Sequence, residues 1–161
     1  AVISHEFQAE SSQSIVLLSQ LSSDLDSVGD HAMNIAARAQ KLAKDDTHFS
    51  EDALKEIGIM ESLCNNILDE LIIMDYDEFK YIVDKVDVME DNIDKTQHQF
   101  AVNQLIRLKE KKCSTENSII YTKILTDFER IGDHGLNIAE SLYHIRKIMK
   151  QMKMIKPEIE E

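Results

Sequence analysis

Tryptophan is absent, proline occurs once (Pro157) and glycine four times in 161 residues. So few breakers, with aromatics at 6%, argue against a sheet-rich fold and for long helices. The two cysteines, Cys64 and Cys113, form no CxxC pair. That spacing speaks against a thiolate metal site and for a reduced, cytoplasmic protein. No apolar run approaches the roughly 20 residues that span a bilayer; the longest are Ile15–Leu18 and Leu71–Met74. A signal-peptide layout is also lacking, so the chain reads as soluble, although it can be part of something that is not. It begins at Ala1 rather than Met, which suggests a processed piece of a longer chain. Cations are scarce: 18 Lys and Arg stand against 30 Asp and Glu, a net charge of −12. Nucleic-acid affinity rests on Lys and Arg, so the balance argues against a phosphate-backbone binder. The acid excess suits a cation binder or a merely solvated surface.

What is present is helical periodicity. The length fits one domain with a real core, and 43% of the residues are apolar. From Ile15, apolar residues recur at Leu18, Leu21, Leu25, Val28, Ala32, Ile35 and Ala39, steps of three and four that make one apolar face. Ser11 and Ser12 are N-cap candidates, and the helix is expected to fade near Lys44. A second helix is expected from Ser50 to about Met74, with Leu54, Ile57, Met60, Cys64, Ile67 and Leu71 along its stripe. Asp75-Tyr76-Asp77 reads as a turn. A third helix carries Phe79, Ile82, Val86, Glu90, Ile93, Gln97, Phe100, Leu105 and Leu108, and ends in the basic stretch 109–112. The fourth begins at Ser114 or Thr115. Its inner arc is read through Ile119, Thr122, Leu125, Thr126, Glu129, Asp133, Leu136, Glu140, Tyr143 and Ile148, and Pro157 stops it. Four long helices with short connections predict an all-α, antiparallel up-down bundle.

The chain also repeats itself. Residues 23–36 (SDLDSVGDHAMNIA) return as 126–139 (TDFERIGDHGLNIA) at a constant offset of 103, with seven identities in fourteen positions. This indicates duplication of a helical unit. Within each copy, Asp26, Asp30 and Asn34, and Glu129, Asp133 and Asn137, are spaced i, i+4, i+8. On a helix such a triplet forms one oxygen-bearing stripe. Carboxylates beside an apolar seam are costly unless a metal ion, an Arg or Lys partner, or water satisfies them. Hard cations favour such oxygens, and carboxylates on bundle helices also bind iron or manganese. His31 and His134 follow the acids directly and point about 100° away; a hydrogen bond across the helix interface is expected for each. On the third helix, Asp87, Glu90 and Asp91 are candidates to face the stripe. Asp84 and Asp94 are assigned to a solvated face beside Lys85 and Lys95.

The stretch Asp127-Phe-Glu-Arg-Ile-Gly-Asp-His-Gly-Leu-Asn-Ile-Ala-Glu140 resembles the signature of the PhoU family of phosphate-transport regulators. The resemblance implies two copies of a three-helix unit with the motif on the last helix of each. It implies metal-ion clusters, often iron, with manganese or zinc as alternatives, held by acids of the second and third helices. It also implies action with phosphate transporters and the phosphate-responsive signalling system. By resemblance, residues 11–44 are the last helix of a first unit and 50–154 a complete second unit, with the first two helices of the first unit missing. The stretch 109–118 is similar to the cytoplasmic C-terminal domain of bacterial sodium/phosphate cotransporters, implying a place at the inner face of the cell membrane. Asp26 and Ser27 depart from the usual Glu and Arg. Asp87 matches the family's third-helix acid best, and the acid one turn earlier falls on Val83, which leaves the ion count open.

No nucleophile elbow, phosphate loop or activated cysteine supports an enzyme. The expectation is a metal-binding regulatory domain controlling phosphate uptake by protein contact, partnered by a transporter. A bare apolar side on the first helix predicts a homodimer. The rivals are a structural oligomerisation module with solvated acids, and a ferritin-like di-iron protein. The latter wants Glu-x-x-His, and no histidine here has Glu three residues before it.

Overall fold

The computed structural model describes residues 2–73 and 79–155, with side chains over 8–72 and 80–152. Its four helices are α1 (Val2–Lys44), α2 (Glu51–Ile73), α3 (Phe79–Lys109) and α4 (Thr115–Ile155), with no strand among the described residues. Met74, the turn at Asp75-Tyr76-Asp77, the Phe79 side chain and Pro157 lie outside what is described. Serine caps form at the starts of α2 and α4. Ser50 Oγ accepts the Ala53 amide proton at 3.3 Å, and Ser114 Oγ that of Asn117 at 3.1 Å, each silencing an orphan donor of the first turn. Ser11 and Ser12 do not cap: α1 runs through them from Val2. In this serine-rich stretch Ser14 donates instead to the Glu10 carbonyl at 3.0 Å, the back-bond by which serine is accommodated inside a helix.

α2, α3 and α4 pack against one another as a three-helix bundle, and α1 lies along α4 alone. That position explains two differences from the periodicity. α1 touches one neighbour and buries only a narrow arc; Leu21, Val28 and Ile35 are half-buried, whereas Ile15, Leu18, Leu25, Ala32 and Ala39 stay exposed. α4 is flanked by all three other helices, so its core residues nearly encircle it. Tyr121, Ile124, Leu125, Phe128, Ile131, Ile138 and Ala139 are buried, while Ile119, Thr122, Thr126 and Glu140 are exposed. A helix apolar on several sides offers no single stripe to read.

One polar lock ties the bundle near the start of α4. Glu56 is buried and takes bonds from Arg107 (2.6 Å), Asn103 (2.7 Å) and the Tyr121 hydroxyl. Despite the desolvation cost, these donors hold its carboxyl below the usual range. Cys64 is buried and donates to the Phe128 carbonyl at 3.2 Å, and burial pushes its thiol up to about 12, which leaves it inert. Beside this contact, an apolar groove of about 300 Å³ runs between α1 and α2, lined by Val28, Ala32, Ile35, Ile57, Leu68 and Phe128.

Candidate metal centre

The repeated motif sits in the second half of α1 and at the middle of α4, and the two helices run antiparallel there. His31 Nδ1 donates to Asp127 at 2.9 Å, and His134 Nδ1 to Asp24 at 2.8 Å. A carboxylate only accepts, so each ring carries its proton on Nδ1. The expected cross-interface bonds are therefore present, and the rings stand off the acidic stripe. Arg38 adds a second bond to Asp127, which is 5% exposed. Asn137 donates to Asp24 at 3.3 Å.

The acids of α4 face α3. Glu90 lies on the seam between Val86 and Ile93, both fully buried. Ile93 in turn covers Gly132, where an added Cβ would sit 3.0 Å from Ile93 Cδ1. The absent side chain lets α3 approach α4 closely enough for their carboxylates to meet. Glu90, Asp94 and Asp133 each bring one oxygen within 4.8 Å of the others. Glu129 lies one turn before Asp133 and is half-buried. Burial, then the carboxylates of Asp94, Asp133 and Asp87, push the Glu90 carboxyl up to about 7. Burial and the Asp133 carboxylate likewise raise Glu129. The cluster thus holds more negative charge than its surroundings neutralise. The donors are all hard oxygens, which fits a cation such as manganese, iron, magnesium or calcium better than a soft one.

The other candidates lie elsewhere. Asp26, Asp30 and Asn34 form an exposed stripe on α1 with no helix of the described chain opposite. Asp87 and Asp91 are exposed, and Asp91 is bonded by Lys95. Asn137 serves the α1 contact. Asp94, assigned to the solvated face, is indeed exposed yet joins Glu90 and Asp133. Its signal was the i, i+4 spacing from Glu90, the same as that of Glu129 and Asp133. Lys95 seemed to claim it but pairs with Asp91, and Lys85 pairs with Glu70 at 2.6 Å.

Comparison with known proteins bears on this arrangement. The chain is 27% identical over 139 residues to a Thermotoga maritima protein named phosphate-specific transport system accessory protein PhoU homolog 1, covering 85% of this chain and 59% of that one. It is 30% identical over 137 residues to a PhoU homolog of a Burkholderia species (83% and 57%). It is 28% identical over 145 residues to one of a Synechocystis species (86% and 61%). The chain therefore spans less than two thirds of each relative's length. No solved structure matches it significantly. Residues 57–142, from α2 through the α4 motif, match the PhoU domain, and the chain belongs to the PhoU family.

Proposed function

We propose that this chain is a regulatory domain acting on phosphate uptake, that it binds metal ions through the carboxylates of α3 and α4, and that it works by protein contact. The observation that carries the metal is the meeting of Glu90, Asp94 and Asp133 beside Glu129, with Glu90 pushed up to about 7 by burial and then by its acidic neighbours. The phosphate role rests on the family and on relatives named as accessory proteins of phosphate-specific transport. Its partner is then a phosphate transporter or that transporter's membrane part, at the cytoplasmic face. The likeness of residues 109–118 to sodium/phosphate cotransporter domains supports that place. No helix among the described residues is long and apolar enough to cross a membrane. The reading is non-enzymatic: the metal neutralises the acids and clamps α3 to α4, presenting a fixed surface. A second copy covers the bare arc of α1.

Elemental analysis of tag-free protein beside a Glu129→Ala/Asp133→Ala variant tests the metal. Stoichiometric iron, manganese or zinc, lost in the variant, is expected. Protein that holds no metal and takes up none when ions are added leaves a helical scaffold whose acids are only solvated.

A further inference from the structure

Arg130 stands between the two acids of the α4 stripe. Its Nη1 lies 2.9 Å from Asp133 Oδ2 and its Nε 3.6 Å from Glu129 Oε2. Among the described residues, the ion pairs recorded for Glu129 and Asp133 are both with this guanidinium. The nearby Lys95 is taken by Asp91. One arginine thus spans Asp133 of the carboxylate cluster and its neighbour Glu129. We propose that Arg130 is the displaceable counter-ion of the cluster: it holds Glu129 and Asp133 while no metal is bound and yields its place when a divalent cation arrives.

Three features fit an exchange rather than a permanent bond. The Arg130 side chain is 53% exposed, so leaving the acids returns it to water without opening the core. An ion pair this exposed shifts an equilibrium by less than a factor of about five, too little to resist a divalent ion that several carboxylates bind together. The carboxylates themselves are less free to move. Asp133 is 29% exposed and Glu129 24%, and both belong to the turn of α4 that Gly132 seats against Ile93. The cation that leaves is therefore the guanidinium.

The duplication supplies an internal contrast. The counterpart of Arg130 is Ser27, whose hydroxyl donates to its own helix at the Ser23 carbonyl, 2.9 Å away. Among the described residues no ion pair is seen for Asp26 or Asp30, and the position of Arg130 is held there by Ser27. In the α4 stripe Arg130 therefore lowers the apparent affinity for metal by a small factor, and loading releases a guanidinium on the protein surface as a signal of occupancy.

This inference rests on the metal-binding reading above. The test is calorimetric titration of Mn²⁺ into wild-type, R130Q, R130K and D133N proteins, with helicity checked by circular dichroism. R130Q is expected to bind up to about fivefold more tightly than wild type, with the gap closing at high salt as screening weakens the competition. R130K, which keeps the charge, is expected to stay near wild type, and D133N to lose binding. In nitrogen-resolved NMR the Arg130 Nε–H signal is expected to shift when Mg²⁺ or another diamagnetic ion is bound. Binding by R130Q that equals or falls below wild type overturns the counter-ion role alone. Absence of Mn²⁺, Fe²⁺ and Zn²⁺ uptake by both wild type and R130Q overturns this role together with the metal reading.

Discussion

His31 of α1 and His134 of α4 stand 103 positions apart in sequence and stack with ring centroids 5.8 Å apart. Each donates its Nδ1 proton to the aspartate seven residues before the other. The duplicated motif is therefore its own partner: its second copy, laid antiparallel on the first, completes two equivalent Asp–His bonds about a local two-fold. This explains why each motif pairs Asp and His seven residues apart, nearly two helical turns, on one face.

The symmetry is imperfect, and the two aspartates are expected to differ in weight. Asp127 is bound by His31 and Arg38 and is nearly closed from water, whereas Asp24 is bound by His134 and Asn137. Asp127→Ala strands a partly buried guanidinium and is expected to cost about 2–4 kcal/mol. Asp24→Ala leaves partners that are neutral or can reach water, and is expected to cost about 1–2 kcal/mol. Urea unfolding of the two variants decides; equal costs would mean that Arg38 adds nothing to the seam.

The paired glycines give a second contrast. A Cβ at Gly29 meets nothing within 4 Å, whereas at Gly132 it meets Ile93 Cδ1 at 3.0 Å and Cγ2 at 3.4 Å. Gly29→Ala is expected to stabilise by up to about 1 kcal/mol, the difference in helix propensity. Ile93 is fully buried and β-branched, with little rotamer freedom in a helix. It gives way poorly, so Gly132→Ala is expected to destabilise by about 1–3 kcal/mol and to weaken metal uptake by parting α3 from α4. A stable, metal-competent Gly132→Ala protein would contradict the close-approach role.

Leu25 lies on the bare arc of α1 and is 55% exposed. Within one chain, Leu25→Asp is expected to change stability by no more than about 0.5 kcal/mol. If a second copy covers that arc, the same substitution shifts light scattering from dimer to monomer. A wild-type protein that is monomeric across micromolar concentrations rejects this interface.

The helices and the α4 half of the site were legible because both depend on spacing along one chain. Glu129 and Asp133 announced themselves by recurrence of the i, i+4 pattern, and the histidines by their offset from it. What needed the fold was everything set between helices. Asp94 looked paired to its neighbour Lys95, yet a lysine on a helix reaches i−4 as readily, and Lys95 takes Asp91. The Arg38–Asp127 bond spans 89 positions and depends on the antiparallel register of α1 and α4. The start of α1 was hidden by Ser11 and Ser12, which resemble caps although the helix runs on through them. The buried arc of α4 was misread because three neighbours surround it.

The crowded carboxylates make the metal-free protein sensitive to pH in an unusual sense. Burial and the neighbouring acids raise Glu90 from 4.5 to about 7. In this window the folded state holds a proton that the unfolded chain has lost, so stability falls as pH rises from about 4.5 to 7. Most paired carboxylates act the other way, as Glu56 does here: its lowered carboxyl supports the fold above the ordinary carboxylate range and withdraws that support as pH falls. Chemical denaturation of metal-free protein from about pH 3 to 8 is expected to show the Glu90 loss, and Glu90→Gln to flatten it while leaving the acid-side decline in place. Added Mn²⁺ is expected to reverse the slope, since a bound cation favours the ionised acid and stabilises the fold in proportion to its occupancy. A profile that Glu90→Gln leaves unchanged would mean the charge of this cluster is already balanced by solvent and counter-ions.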